Sequence, residues 1–202
     1  MSDPVVVFSD YACPWCYLGR ARLRRALAGD ERGSVFLPFP LSPDTPPEGR
    51  DIATYLRAKG IDVEAAVQRL RPLLEAEGLE YPDNLVGRRA YNTRRAQELA
   101  LWAEEHGTAA QLDALHDRLF RSYQVENHHV YQLDVLARLA GEVGLDGAAA
   151  RAAIEAGDYA QARERAWRMA MQAGVTGVPT YVVGGRGVVG AQSVEVLQQL
   201  LR

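Results

Sequence analysis

The sequence predicts an α/β protein in which a small sheet-forming frame is interrupted by a long helical segment. Three observations lead to this prediction. Short apolar runs typical of buried strands stand near both ends of the 202-residue chain. Between them, apolar residues recur at three- and four-residue spacing over most of residues 51 to 172. Helical patterns also follow the first strand and close the chain, so the predicted order is β-α-β, a block of helices, then β-β-α.

The first three elements lie within the first forty residues. Residues 4 to 9 form an apolar run that predicts a strand buried on both faces. Residues 14 to 28 have helical periodicity, with Pro14 in the first turn, where its missing N–H does no harm. Ser34 to Phe39 predicts a second strand, and a proline-rich loop follows over residues 40 to 50.

The helical block is clearest in five segments separated by glycines and a proline. Its apolar residues fall on one side of a helix in each segment. The segments are Ala65 to Leu74, Arg94 to His106, Ala110 to Tyr123, Tyr131 to Val143 and Asp158 to Met171.

After Gly174 the pattern returns to strands. Residues 180 to 183 predict a strand, residues 184 to 187 a glycine-rich turn, and residues 188 and 189 the start of a second strand. This arrangement indicates a β-hairpin. A last helix is predicted over Ser193 to Leu201.

Two domains follow from this order. Residues 1–45 and 173–202 are predicted to form the sheet-containing domain, and residues 46–172 an inserted α-helical domain. A hydrophobic fraction of 48% provides enough apolar residues for a sizeable core.

Composition and charge exclude some classes of partner. The net charge of −3 argues against an electrostatic nucleic-acid binder. No apolar stretch approaches the roughly 18 residues that a membrane-spanning helix needs. The N-terminus, from Met1 to Pro4, runs directly into the first strand without the basic and apolar regions of a signal peptide. We therefore expect a cytoplasmic protein with neither nucleic-acid nor membrane partners.

The only two cysteines, Cys13 and Cys16, lie two residues apart where the first strand passes into the first helix. A helix N-terminus carries partial positive charge and unpaired N–H groups, which stabilise a thiolate, the form that attacks disulfides. We expect Cys13 to be exposed and to act as the nucleophile, and Cys16, one turn deeper, to be the resolving thiol. Trp15, between them, is expected to be partly exposed and to contact substrate.

Two other interpretations of the cysteine pair remain open. It could be half of a zinc site or a pair of inert thiols. A structural zinc ion usually takes four ligands, yet there is no further cysteine and the histidines lie in the helical block. A redox dithiol is therefore the favoured interpretation, and no metal is expected.

The second distinctive segment is Val178–Pro179–Thr180, which opens the hairpin. A proline directly before a strand, with glycines upstream, indicates a tight turn. From the residues alone, an ordinary strand-initiating proline and a cis Val178–Pro179 bond both remain open. Beside a dithiol, the backbone groups of a cis proline turn would pair with an extended peptide or with glutathione.

Together, the Cys13–Pro14–Trp15–Cys16 run and the Pro179 turn resemble the thioredoxin superfamily. The longer run Tyr11 to Gly19 is similar, more closely, to the DsbA family, in the branch of FrnE-type oxidoreductases and 2-hydroxychromene-2-carboxylate isomerases. The resemblance covers essentially the whole chain, including the helical insertion. Supporting stretches are Ser42 to Gly49, Asn92 to Ala96, Gly174 to Tyr181 and Gly190 to Gln192.

The resemblance implies a thioredoxin-like fold with a large inserted helical domain and a cis Val178–Pro179 bond. It implies a thiol–disulfide oxidoreductase that needs no cofactor and exchanges disulfides through Cys13 and Cys16. Its partners would be protein thiols and disulfides, or glutathione as co-substrate. Val178, Pro179 and Thr180 would hold the substrate.

Two points of the resemblance leave alternatives. Asn92 would face the cleft as a substrate contact, whereas the residues alone favour a simple helix cap. The alternative function is a glutathione-dependent isomerase or transferase of the 2-hydroxychromene-2-carboxylate isomerase type. Those branches typically carry a serine or a single reactive residue, whereas this chain has both cysteines. The direction of exchange, the substrate and the oligomeric state are left open.

Overall fold

The elements of a computed structural model, which describes residues 3–202, follow the order that the sequence predicts. The first part of the chain contains β1 (Val5–Ser9), α1 (Pro14–Ala26) and β2 (Ser34–Pro38). The middle part contains β3 (Arg50–Asp51), α2 (Ile52–Ala58), α3 (Val63–Ala76), β4 (Arg89–Ala90), α4 (Arg94–His106), α5 (Ala109–Gln124), α6 (Leu133–Glu142), α7 (Gly147–Ala156) and α8 (Ala160–Gln172). The last part contains β5 (Thr180–Val183), β6 (Arg186–Val189) and α9 (Val194–Leu200).

The main sheet has four strands in the order β2-β1-β5-β6. Strand β1 pairs in parallel with β2, with Val5 opposite Ser34, and antiparallel with β5, with Val7 opposite Tyr181. Strands β5 and β6 form the predicted hairpin. Because β1 is central, both of its edges are hydrogen-bonded, and its C-terminal end delivers the chain to the start of α1.

Alternate residues of β1 face opposite sides of the sheet, as the twofold period of a strand requires. Val5 and Val7 pack with residues of α1 and α9. Phe8 packs on the other side, against Ala170 of α8 and Val175. Helices therefore cover both faces of the sheet, which explains the continuous apolar run of this strand.

The helical segment has its own core, and that core continues into the sheet-forming part. Leu99 of α4, Phe120 of α5 and Leu139 of α6 are fully buried in one cluster. Tyr17 and Leu18 of α1 belong to the same cluster. Helix α1 thus packs against the sheet with one side and against the helical segment with the other.

The structure differs from the expected elements at several places. Helices α2 and α7 lie outside the five segments with clear periodicity, because α2 has only seven residues and α7 is mostly alanine. Their N-caps, Asp51 and Asp146, accept hydrogen bonds from the first turn and are the remaining sequence signal. The two-residue strands β3 and β4 pair with each other inside the segment expected to be helical.

The proposed domain boundary falls at the end of α8, a helix that packs on both β2 and α4. The division into two domains stays a prediction, and its first two residues lie outside the described part of the chain. None of the helices described between residues 3 and 202 combines the length and apolar character needed to cross a bilayer.

Candidate active site at the start of helix α1

Cys13 is the N-cap residue of α1. Its backbone is extended, with φ −89° and ψ 113°, and its carbonyl accepts the first helical bond, from Cys16 N at 3.0 Å. Pro14 occupies the first turn, and no side chain of the described residues caps the helix at this end. The Cys13 side chain therefore occupies the position at which a helix terminus favours a negative charge.

Cys13 is buried, not exposed as the sequence led us to expect. Only 4% of Cys13 and 1% of Cys16 is accessible to solvent, and both thiols are free. The reason is tertiary: residues of α2 and α3 face the start of α1, so that Cys13 lies deep in a cavity between them. Cys16 does not reach that cavity.

The proline turn lies beside Cys13, as expected for a two-part site. The Val178–Pro179 peptide bond is cis, and the Cys13 thiol donates to the carbonyl oxygen of Val178 at 3.5 Å. Gly177 and Val178 line the cavity, whereas Pro179 and Thr180 do not. Thr180 is buried and its hydroxyl donates to the carbonyl oxygen of Gly177 at 2.7 Å, which fixes the turn from behind.

Asn92, expected as a substrate contact, is not among the residues that line the cavity. Its side-chain amide donates to the carbonyl oxygen of Thr45 at 2.7 Å, and its side-chain oxygen accepts from Arg94 N at 3.0 Å. The side chain is buried. Asn92 therefore joins two loops, while its neighbours Tyr91 and Thr93 line the cavity.

Asp10, which sequence reasoning missed, organises the loop before Cys13. Its buried carboxylate accepts hydrogen bonds from Ala12 N at 3.0 Å, Leu41 N at 2.7 Å and the Thr93 hydroxyl at 2.7 Å. Burial raises the pKa of the Asp10 carboxyl, and the hydrogen bonds offset part of that rise. One side chain thus ties the loop to the segment after β2 and to the start of α4.

The next residue of the loop, Tyr11, is held from α5. The Tyr11 hydroxyl pairs with His116 Nδ1 at 2.8 Å, and the Gln124 amide donates to the Tyr11 carbonyl oxygen at 2.6 Å. Burial, with the Arg20 guanidinium nearby, lowers the pKa of His116 well below its ordinary value. These partners lie more than a hundred residues from Tyr11, so no local pattern could have indicated them.

Cys16 has an environment suited to a protonated thiol. Burial, and then the neighbouring Cys13, raises the pKa of Cys16 well above its ordinary value. Deprotonation of Cys16 is therefore unfavourable, chiefly because its thiolate would be buried.

The cavity in front of Cys13 has a volume of about 450 Å³, within the range of roughly 300–1,000 Å³ for small-molecule sites. Trp15 is half-exposed and lines its mouth, with the Arg69 guanidinium 5.6 Å from the centre of the indole ring. Tyrosines 55, 81, 91 and 123 contribute aromatic faces. The other walls are mainly aliphatic, including Leu41, Ile52, Leu56, Val67, Leu70 and Leu85.

The side chains around the cysteines bear on the alternative interpretation as half of a zinc site. Across residues 3–202, no three histidine, cysteine, aspartate or glutamate side chains converge in a metal-binding group. The Cys13 thiol has a backbone carbonyl oxygen, that of Val178, as a hydrogen-bond acceptor.

Comparison with known proteins identifies the family to which the chain belongs. The model of the DSBA-like thioredoxin domain matches residues 4–202. The chain belongs to this family, a thioredoxin-fold oxidoreductase family, and the expected thioredoxin-like fold and DsbA resemblance are confirmed.

Individual relatives cover the whole chain. A probable DsbA oxidoreductase of Streptomyces coelicolor is 33% identical, with a TM-score of 0.89 over 100% of this chain and 88% of that one. Protein YwbO of Bacillus subtilis (strain 168) is 29% identical over 100% of this chain and 96% of its own length.

Two more distant structures share the fold. A 2-hydroxychromene-2-carboxylate isomerase is 19% identical, with a TM-score of 0.76 over 98% of this chain and 93% of that one. The cytosolic disulfide reductase DsbM of Pseudomonas aeruginosa, solved with GSH, is 18% identical, with a TM-score of 0.68 over 97% and 93%.

Proposed function

We propose that this protein catalyses thiol–disulfide exchange through Cys13 and Cys16. The observation that carries the proposal is the unequal placement of two adjacent thiols. Cys13 caps α1, faces the cavity and contacts Val178, whereas Cys16 is enclosed one turn further along. Such a pair has one sulfur that reaches a substrate and one that reaches only its neighbour, as exchange through a mixed disulfide requires.

The proposed reaction transfers two electrons. The Cys13 thiolate attacks one sulfur of a substrate disulfide, the other sulfur leaves as a thiolate, and a mixed disulfide forms on Cys13. Formation of that bond removes the negative charge on Cys13, which eases deprotonation of Cys16. Cys16 then attacks Cys13, releases the second substrate thiol and leaves the Cys13–Cys16 disulfide. The reverse sequence oxidises a substrate dithiol.

The backbone of Val178 and the side chain of Trp15 are the proposed substrate contacts, because both lie on the cavity wall next to Cys13. Pro179 and Thr180 support the turn from behind. No cofactor is needed, and glutathione or a protein thiol is the proposed co-substrate. A lone dithiol without structural disulfides is typical of cytoplasmic redox proteins, so the proposal places the reaction there.

The experiment that tests this proposal compares Cys13→Ser with Cys16→Ser. Each variant is incubated with disulfide substrate, quenched with acid, and analysed for mixed disulfides by mass spectrometry. We expect adducts on Cys16→Ser and none on Cys13→Ser, with turnover lost in both. Adducts on Cys13→Ser would reverse the assigned roles, and turnover that survives in both variants would rule out the proposed reaction.

The cavity also favours a second candidate, a glutathione-dependent isomerase or transferase acting on a small molecule. A recessed site of this size is typical of small ligands, whereas a protein disulfide is presented at a surface. This function needs only one reactive residue. It therefore predicts that turnover of a small substrate with glutathione persists in Cys16→Ser.

A further inference from the structure

We propose that the disulfide or thiol exchanged at Cys13 is an apolar molecule of low molecular weight that carries at most one negative charge. It binds inside the cavity, in preference to glutathione and to folded proteins. This inference rests on the proposed exchange function and names its substrate class.

The depth of Cys13 is the first argument. Cys13 is only 4% exposed, and Leu56 of α2 and Val67 and Leu70 of α3 line the cavity in front of it. Val67 and Leu70 are themselves buried. A disulfide on the surface of a folded protein would have to reach a nearly buried sulfur, whereas a small molecule occupies the existing space.

The charge of the walls is the second argument. Among the side chains that line the cavity in the described chain, Arg69 is the one with a permanent charge, and it lies at the mouth over Trp15. Glutathione carries two carboxylates and an ammonium group, and a buried charge without a partner is costly. The walls provide no carboxylate for the ammonium group and one cation for two carboxylates.

The tyrosines are the third argument, because they present aromatic surface more than free polar groups. The Tyr55 hydroxyl is already paired with Ser42 at 2.8 Å, and the Tyr123 hydroxyl donates to the Tyr91 carbonyl oxygen at 3.3 Å. Burial raises the pKa of Tyr81 to about 12, so its hydroxyl remains neutral at physiological pH. Aliphatic and aromatic faces of this kind match an apolar substituent on sulfur.

The reaction on such a substrate, RSSR, balances as follows. The Cys13 thiolate displaces one RS⁻, and Cys16 displaces the second, so the substrate gains two electrons and the protein forms the Cys13–Cys16 disulfide. Cys16 supplies one proton and solvent the other to yield two RSH. A dithiol reductant, dithiothreitol in the assay, then restores the two protein thiols.

The test measures kcat/KM for three disulfides: dibutyl disulfide, oxidised glutathione and insulin. Each value is divided by the rate constant of the same disulfide with free 2-mercaptoethanol, which removes differences in intrinsic reactivity. We expect the normalised value for dibutyl disulfide to exceed both others by at least about tenfold, a difference of about 1.4 kcal/mol.

Filling the cavity provides a matched pair of variants. Ala66 of α3 lines the cavity, whereas its neighbour Ala65 is exposed and does not. The series Ala66→Leu and Ala66→Trp should lower kcat/KM for dibutyl disulfide progressively, by about tenfold at Trp. Ala65→Leu and Ala65→Trp, which make the same change in the same helix, should not. Thermal unfolding of all four variants identifies any that fails to fold. If a tryptophan variant does not fold, Ala66→Leu is compared with Ala65→Leu.

The outcomes separate this inference from the proposed function. Preferential turnover of oxidised glutathione or insulin that depends on Cys13 would overturn the inference and leave the exchange function standing. Equal effects of the Ala66 and Ala65 series would also overturn it. Absence of Cys13-dependent turnover with all three disulfides would overturn the exchange function itself.

Discussion

Cys13 and Cys16 are only three positions apart, yet their surroundings give them different chemistry. Cys13 lines the cavity and its sulfur contacts the backbone carbonyl of Val178, whereas Cys16 is buried away from the cavity. Burial raises the pKa of Cys16 well above its ordinary value, so that Cys16 keeps its proton more firmly than an exposed thiol would. The order of the two steps in the proposed exchange is thus a property of the individual residues.

His116 is a second residue whose burial has a measurable consequence. It is neutral in the folded protein, with a pKa well below the ordinary value of 6.5, because burial and the Arg20 guanidinium disfavour its charged form. In the unfolded chain it takes up a proton as the pH falls through that ordinary value. Because the folded-state pKa is depressed, stability is lost as the pH falls below the ordinary value of 6.5 towards the folded-state pKa.

We predict that His116→Gln reduces the pH dependence of the free energy of unfolding. Between pH 7 and pH 5.5, the wild type should lose about 1 kcal/mol more than the variant. Urea titrations at the two pH values measure the difference. Equal losses in both proteins would show that His116 does not titrate differently in the folded and unfolded states.

At the scale of elements, the close approach of α1 to β5 positions the two halves of the site. Gly19 of α1 lies against Tyr181 of β5 and against Pro179. A Cβ atom at position 19 would be 2.1 Å from the Tyr181 hydroxyl oxygen and 3.0 Å from Pro179 Cγ. Tyr181 is fully buried, and its hydroxyl has no hydrogen-bond partner within residues 3–202. A side chain at position 19 would push the proline turn away from Cys13.

We predict that Gly19→Ala lowers the free energy of unfolding by about 1–3 kcal/mol through overpacking. It should also slow exchange at Cys13, because Val178 and Pro179 move with β5. The combination with Tyr181→Phe should recover part of the stability, since the closest clashing atom is removed together with an unpaired buried hydroxyl.

Gly141→Ala is the control for this prediction. Gly141 is exposed on α6, and nothing lies within 4 Å of its ideal Cβ position. Alanine there should stabilise the helix by up to about 1 kcal/mol. If Gly19→Ala behaves like Gly141→Ala, the close approach of α1 and β5 is not tight enough to constrain position 19.

At the scale of the whole molecule, α2 and α3 close the site over Cys13. They share a small cluster, which includes Val63, Val67 and Leu85, and α3 is attached to the main helical core through Leu70 and Leu74. Pro72 lies inside α3 and removes one of its backbone hydrogen bonds. A few contacts therefore hold the part of the molecule that covers the reactive thiol, and we expect it to open more readily than the core.

We predict that Leu74→Ala, in a Cys16→Ser background, makes Cys13 more accessible to a bulky maleimide. Replacing a buried leucine by alanine lowers the free energy of unfolding by about 2–5 kcal/mol. Here it weakens the packing of α3 on the main helical core. The ratio of labelling rates with fluorescein maleimide and iodoacetamide should rise.

Leu139→Ala is the matched control, because Leu139 is equally buried in the same cluster but lies on α6. It should lower stability without changing the labelling ratio. Equal ratios in the two variants would mean that access to Cys13 does not depend on α3.

The sequence predicted the elements with strong periodic patterns well. The strand after residue 4, the hairpin near the end and the bounds of α4 agree with the structure. Helices α2 and α7 were not predicted as separate segments, because a short helix and an alanine-rich helix have too few large apolar residues for a clear period. The site was found only in part: Cys13 and Val178 meet as expected, but Cys13 is buried and Asn92 is a loop contact.

By itself, the sequence determined the order of the main elements, the adjacent cysteine pair and the family, because each depends on residues close together in the chain or on a distinctive run of them. The tertiary structure decided that Cys13 lies in a cavity, that Asp10 is bound by Leu41 and Thr93, and that His116 pairs with Tyr11. These contacts join segments up to 105 residues apart. They arise from the packing of whole helices, whose positions depend on all the apolar faces they bury together and not on any local pattern.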